Sequence, residues 1–252
     1  MESYLVYTAG STPACCYAAD CLKSAGVSII DHPSPEVTHL LLDIPSFGAD
    51  GTLRGGGEVE KLLNMLPQEI TVIGGNLVHP ALAGYKLLDL LRDPGYVTEN
   101  AAITADCALR VAAEKLPVVF RGCPVLIIGW GRIGKCLGQM LKALGARVTI
   151  AARKEVDRAM LKALGYSAVD MTEMEKTLPG YRVIFNTAPE PVVSEAVLSR
   201  CQSCLKIDLA SRKGLAGSDV IWARGLPGIY APESSGTLIG KRIVDFLRED
   251  RT

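Results

Sequence analysis

The chain carries no surplus of either charge. Its 252 residues hold 27 Lys+Arg and 27 Asp+Glu. A surface without a net positive field is poorly suited to a phosphate backbone, so nucleic-acid binding is not expected. Long apolar runs are missing too. None approaches the roughly 20 residues that cross a bilayer, so no membrane span is expected. The opening MESYLVYTAG has neither a basic stretch nor a long apolar one, so no signal peptide is expected and the cytoplasm is the expected location. Histidine is scarce. His32, His39 and His79 all lie in the first third of the chain, which argues against a histidine-built metal site, and no metal is expected.

The chain is not short of core-forming residues. A hydrophobic fraction of 48% against 21% charged excludes wholesale disorder, and the length suits one large domain or two modest ones. There are 8 cysteines. In a reducing compartment most should be buried thiols acting as small apolar residues. Cys201 and Cys204 form a C-x-x-C, but no second pair or suitably spaced histidine accompanies them.

The first half alternates strands and helices. Strands are expected over 3–7, 27–30, 38–42 and 69–75, and helices over 13–25, 58–66 and 79–91, with a glycine-rich loop at 48–57. Pro13 suits a first helical turn and Gly26 a helix end. Arg92-Asp93-Pro94-Gly95 interrupts the pattern, and an Ala- and Leu-rich helix follows over 99–116. The second half is cleaner. Strands are expected over 124–129, 147–152, 167–169, 182–189, 204–211 and 219–223, with helices over 132–144, 155–164, 195–200 and about 234–249. Ser194 suits the N-cap of the third of these, and a Ser-Ser pair opens the last. The pattern predicts two α/β domains: a smaller flavodoxin-like one over 1–98, and a doubly wound Rossmann domain over 121–232. A linking helix and linker fill 99–120, and a C-terminal helix at 233–252 is expected to return to the first domain.

Gly129-Trp130-Gly131-Arg132-Ile133-Gly134 is G-x-G-x-x-G, following a strand and opening a helix. Gly129 permits the tight turn, Gly131 lets the backbone approach a pyrophosphate, and Gly134 lets the helix pack on the strand. The helix N-terminus offers free N–H groups and partial positive charge. The next strand ends at Arg153-Lys154, where an NAD-binding unit would place an acid for the ribose hydroxyls. A guanidinium instead suits a 2′-phosphate, so NADP(H) is expected over NAD(H). Asn186-Thr187-Ala188-Pro189 and Asp208-Leu209-Ala210 end later strands, where ligands of such sheets bind. They are candidate contacts to ribose and nicotinamide. Asp208 could alternatively cap a turn, and Arg212 could be a surface residue.

These residues carry a resemblance. The run from Val125 through GWGRIG to Arg153, then FNTAP, KIDLASRKG and GLPGIYAPESSG, resembles the A-subunit family of dipicolinate synthase over the second half of the chain. The resemblance implies a sporulation enzyme of dipicolinate biosynthesis. It would oxidise a cyclic dihydro- or hydroxytetrahydrodipicolinate with a nicotinamide cofactor, beside a flavoprotein-like second subunit. A homo-oligomer is expected as well. The first half departs from the family. Ala9-Gly10-Ser11-Thr12-Pro13 stands where the family has Gly-Gly-Asp followed by Arg, and the linking helix keeps Asn100 and Thr104 but has Ile103, Asp106 and Cys107 at positions the family fills with Pro, Glu and Gly. The substrate would be a dicarboxylate in a cleft between the domains. Arg212 is the candidate cation, the last helix's N-terminus at Ser234 and Ser235 the candidate second carboxylate site, and Asn100 and Thr104 the candidate polar contacts.

Two other functions compete. A D-2-hydroxyacid dehydrogenase shares the layout, but its chemistry needs a late proton donor, usually His, and none follows His79. An NADP(H)-binding regulatory or scaffold protein without catalysis is the third.

Overall fold

The structure, a computed structural model, describes residues 4–250. Ser3, where the first strand is expected to begin, lies outside them. The chain forms two compact units. The first takes the residues up to Asn100 and those from Pro227 onward, and the second is Ala101–Leu226. The units are the same length, so the first is not the smaller once its returning segment is included.

The first unit contains β1 (Leu5–Thr8), α1 (Pro13–Ser24), β2 (Ser28–Ile30), β3 (His39–Leu41), α2 (Val59–Leu63), β4 (Thr71–Gly74) and β5 (Lys86–Asp89). Its strands are all parallel in the order β2-β1-β3-β4-β5, the flavodoxin-like arrangement. Leu40, Leu41, Val72 and Ile73 have no exposed surface, as parallel strands covered on both faces require. Thr12 opens α1 by accepting the Cys15 N–H, with Pro13 in the first turn.

Two expectations fail here. No helix spans 79–91. A short 3-10 turn at Pro80–Leu82 is followed by β5 at the sheet edge and a second 3-10 turn at Leu90–Arg92. Gly84 stands at φ +93°, which ends the turn and releases the chain into a strand. Asp89 then ties the segment down by accepting the N–H groups of Asn76, Leu77 and Leu91 at 2.9, 3.0 and 3.0 Å. The second difference is at the next helix, α3 (Pro94–Lys115), which starts five residues before the expected Glu99. Asp93-Pro94-Gly95 reads as a break but acts as a start. Pro94 takes the first helical position, and the Asp93 carboxylate accepts the Gly95 N–H at 2.8 Å.

The second unit holds β6 (Pro124–Ile128), α4 (Arg132–Ala143), β7 (Arg147–Ala152), α5 (Glu155–Ala163), β8 (Ser167–Asp170), β9 (Val183–Asn186), α6 (Glu195–Leu198), β10 (Leu205–Asp208) and β11 (Val220–Trp222). The sheet order β11-β10-β9-β6-β7-β8 is the Rossmann order, with every pairing parallel. Leu126, Ile127, Ile128, Ile184 and Phe185 are fully buried at its centre. Ser194 precedes α6 but makes no capping bond through its side chain.

The segment 225–230, despite its glycines and proline, forms a short helix, α7 (Leu226–Tyr230). Then α8 (Pro232–Glu249) begins two residues before the Ser-Ser pair, because Pro232 takes its first turn. This helix packs on α1 through glycines. A Cβ at Gly236 would lie 2.4 Å from the Ala14 carbonyl oxygen, and one at Gly240 would lie 2.6 Å from Cys21 Cβ. Arg242, on the same helix, holds the Asp93 carboxylate with Nε at 2.7 Å and Nη2 at 2.6 Å. Burial pulls the Asp93 carboxyl up. Bonds from Arg242, Gly95 and Tyr96 outweigh it and leave Asp93 below the usual carboxylate range.

Candidate functional site

The site grows from the end of β6. Gly129 stands at φ +102°, a region costly for other residues, and a Cβ there would meet Thr187 Oγ1 at 2.6 Å. Thr187 lies against it because its hydroxyl and its N–H both bond the Ile128 carbonyl at 2.9 Å. Gly134 is equally confined, since a Cβ would lie 2.3 Å from the Gly129 carbonyl oxygen. Gly131 differs. Nothing lies within 4 Å of where its Cβ would be. It is the N-cap of α4, and no side chain caps that helix. An open cradle therefore adjoins uncapped N–H groups at the start of a helix of 12 residues. That combination fits an anion such as a pyrophosphate. Arg132, in the first turn, is exposed and makes no ion pair among the described residues. Ile133 is half-buried beside it. The Trp130 ring turns aside to Tyr166, 5.8 Å between centroids, so its contribution is through the backbone.

Arg153 and Lys154 both stand exposed after β7. Arg153 Nη2 is 2.7 Å from Glu190 Oε2. Arg158 is occupied locally, donating to the carbonyls of Ala152 and Arg153 at 2.9 and 2.7 Å and pairing with Asp170 at 2.8 Å.

Two expected cofactor contacts have a different role. Asp208 has no exposed surface. Its Oδ1 accepts from Asn186 Nδ2 and the Ala210 N–H, both at 3.0 Å, and its Oδ2 accepts from the N–H groups of Gly214 and Leu215 at 2.7 and 2.9 Å. All its lone-pair directions are used within the protein. Asn186, also fully buried, completes the lock. Its Nδ2 donates to the Ala188 carbonyl at 3.0 Å, and its Oδ1 accepts the Ala188 N–H at 3.1 Å. These two residues position the loops after β9 and β10, and Asp208 has no lone-pair direction left for a ligand. Leu209 and Ala210 are buried with them. Thr187 and Ala188 are half-buried and Pro189 is exposed, which leaves 187–189 as the accessible part of that segment.

No motif singles out Glu190 or Trp222. The Trp222 indole N–H bonds the Ala210 carbonyl at 3.1 Å at the end of β11, with Arg224 over its ring at 5.1 Å. A lone exposed tryptophan ending a strand is the only sequence signal for it.

Of the expected substrate residues, Arg212 is exposed after β10 and makes no ion pair among the described residues. Thr104 is buried and Asn100 half-buried, one turn apart on α3. Ser234 is exposed in the first turn of α8, which belongs to the other unit, and Ser235 beside it is buried. In the first unit, the N-terminus of α1 already holds an anion of the protein's own. Asp43, 3% exposed, accepts the N–H groups of Ser11 and Thr12 at 3.0 Å each and the Thr12 hydroxyl at 2.6 Å. Burial, with the Asp43 charge next, pushes the nearby Cys15 thiol up to about 12. Cys204 is pushed to about 12 by burial as well, so neither thiol is a ready nucleophile. Among the described residues, no group of His, Cys, Asp and Glu is placed to hold a metal ion, and no helix is long and apolar enough to cross a membrane.

Comparison with known proteins bears on this arrangement. Residues 101–200 match the family described as D-isomer specific 2-hydroxyacid dehydrogenase, NAD binding domain. The dipicolinate synthase A-subunit of Bacillus subtilis (strain 168) is 28% identical over 178 residues, a match covering 67% of this chain and 60% of that protein's length. The chain is a relative of the dipicolinate synthase A-subunit. Crystal structures of that protein from Bacillus halodurans and Bacillus subtilis superpose with TM-scores of 0.83 and 0.82. At 21% and 20% identity, covering 97% and 99% of this chain and 98% and 97% of theirs, they share its fold. The second unit is thus similar, over residues 101–200, to a dehydrogenase NAD-binding domain, and that similarity supports a nicotinamide cofactor and oxidoreductase chemistry.

Proposed function

We propose that the chain is an NADP(H)-dependent oxidoreductase of the dipicolinate synthase A-subunit type, oxidising a cyclic dihydro- or hydroxytetrahydrodipicolinate to dipicolinate. The observation that carries the cofactor half is the open space at Gly131 beside the uncapped start of α4. Backbone N–H groups of Arg132 to Gly134 would hold the pyrophosphate, with the Arg132 side chain beside them. Arg153 and Lys154, with no acid at the end of β7, favour a 2′-phosphate. When bound, NADP supplies a hydride acceptor at C4 of its nicotinamide.

The substrate half rests on the relative and on Arg212. A hydroxytetrahydro substrate first loses water. The dihydro ring then gives up one hydride and one proton, and aromaticity drives that loss, so no histidine base is required. The exposure of Arg212 and its lack of an ion pair among the described residues support a role in pairing with a substrate carboxylate, which a guanidinium can do in bidentate fashion. Asn100, Thr104 and Ser234 are assigned to substrate recognition on the family pattern. The relative is named as one subunit of a synthase, and by the same resemblance we assign this chain a flavoprotein-like partner. The test is NADPH formation from hydroxytetrahydrodipicolinate by the purified chain, with and without that partner. Turnover supports the assignment. Tight NADPH binding with no turnover in either case would leave a regulatory, cofactor-binding role. One observation favours that second reading: the first unit departs from the family pattern at Ser11 and Thr12, whose N–H groups are taken by its own Asp43.

A further inference from the structure

Glu190 lies beside the cofactor site without belonging to its motif. It follows Pro189 in the loop leaving β9, and its Oε2 lies 2.7 Å from Arg153 Nη2 at the end of β7. In the sheet, β6 stands between β7 and β9. Strands lie about 4.8 Å apart, so the two loops start about 10 Å from each other. The ion pair therefore spans the carboxyl end of β6, the strand that runs into the Gly129 turn.

The Glu190 backbone is held in place. A Cβ on Gly214 would lie 2.5 Å from the Glu190 carbonyl oxygen, and the Val192 N–H donates to the Gly214 carbonyl at 2.8 Å. The side chains, by contrast, are open to a ligand, at 69% exposed for Arg153 and 61% for Glu190. A dinucleotide lying over the glycine turn would meet this pair. A 2′-phosphate would compete with Glu190 for the Arg153 guanidinium and would be repelled by the carboxylate. A 2′-hydroxyl would donate a hydrogen bond to that carboxylate without displacing anything.

We propose that Glu190 is a specificity-determining residue for the 2′ position of the adenosine ribose. It grips Arg153 in the free protein and lowers the preference for NADPH that Arg153 alone would give. The proposal rests on the assignment of Arg153 to the 2′-phosphate.

The test is a set of dissociation constants for NADPH and NADH, measured by calorimetry at one salt concentration, for wild type, Glu190→Gln and Arg153→Ala. Removing a competing exposed carboxylate should raise the ratio Kd(NADH)/Kd(NADPH) about two- to fivefold in Glu190→Gln, while NADH binds the same or more weakly. Arg153→Ala should lower the ratio. If Arg153→Ala lowers it but Glu190→Gln moves it less than twofold, or changes both cofactors equally, Glu190 is not the determinant and the Arg153 assignment survives. If Arg153→Ala leaves the ratio unchanged, or the wild type binds neither dinucleotide, the underlying assignment fails and the proposal with it.

Discussion

Replacing Gly236 by Ala should destabilise the first unit, against the usual sign of that substitution in a helix. In an exposed helix interior, Gly→Ala stabilises by about 1 kcal/mol, because glycine loses more backbone freedom on folding. In α8 the added Cβ would stand 2.4 Å from the Ala14 carbonyl oxygen, 2.4 Å from Tyr17 Cβ and 2.9 Å from the Ala18 nitrogen. Two of those partners are backbone atoms and cannot rotate away, so α1 and α8 must move apart. A gap of about 0.5–1 Å forfeits a quarter to a half of each dispersion contact along the line where the helices touch. Overpacking of this kind costs about 1–3 kcal/mol, and clashes at 2.4 Å put Gly236 in the upper part of that range, about 2–3 kcal/mol, so subtracting the propensity gain of about 1 leaves about 1–2 kcal/mol net destabilisation. Gly228→Ala in α7 is the control, because nothing lies within 4 Å of that site, and it should be neutral or stabilising. The assay is urea unfolding followed by far-UV circular dichroism. Trp130 and Trp222, the chain's 2 tryptophans, both lie in the second unit, so their fluorescence separates its transition from the first unit's. A Gly236→Ala protein as stable as wild type, or more so, would refute the reasoning.

Gly131→Val should abolish or strongly weaken NADPH binding at a stability cost of no more than about 1 kcal/mol, since its side chain enters open space and only the N-cap preference is lost; unchanged calorimetric affinity would place the cofactor elsewhere. Asp208→Asn puts an amide among four donors and should destabilise the second unit by about 1–3 kcal/mol, read from the Trp222 fluorescence transition, because Trp222 bonds Ala210. Arg212→Ala should cut kcat/KM about ten- to hundredfold, equivalent to about 1.5–3 kcal/mol, while leaving the NADPH dissociation constant alone. His39 is held at about 4, mainly by burial with a lesser effect of Lys86 and an opposing one of Asp250, against 6.5 when unfolded. Its contribution is complete above about pH 6.5 and lost as pH falls toward 4, about 3 kcal/mol in all and about 2 of it by pH 5, so the difference between unfolding midpoints at pH 7.5 and 5 should be smaller in His39→Gln than in wild type.

The second unit was legible because each of its signals is local. A buried apolar run, a glycine and a periodic helix recur in order, and G-x-G-x-x-G places the turn at Gly129 to the residue. The failures in the first unit also have a local cause. Residues 79–91 contain enough Leu and Ala to suggest a helix, but Gly84 and the pairing of Leu87 and Leu88 with Val72 and Ile73 make an edge strand. That pairing joins segments distant in sequence, and a β-strand of four residues has too little periodicity to announce itself. Asp93-Pro94-Gly95 misled because the same residues serve to stop one helix and to start another. What decides is Arg242, far along the chain, which fixes the Asp93 cap.

At the candidate site, the residues read from the motif divide by burial rather than by position. Asn186 and Asp208 sit at strand ends, where ligands of such sheets bind, and position alone made them contacts. Their burial and their four-fold satisfied carboxylate show that a polar residue at that place has two uses: to meet the ligand or to hold the loop that does. The sequence cannot separate them, because the partners of Asp208 are the N–H groups of Ala210, Gly214 and Leu215, and every residue but proline carries one. The same division governs substrate recognition. Where the related family has Gly-Gly-Asp and then Arg, this chain has Gly10, Ser11 and Thr12, and it brings Asp43 to the N–H groups of Ser11 and Thr12. A carboxylate already bound there repels a second one. Under the proposed function one substrate carboxylate would instead pair with Arg212, which is exposed and makes no ion pair among the described residues. Loss of turnover in Arg212→Ala, with cofactor affinity intact, is therefore the result on which the substrate half of the proposed function depends.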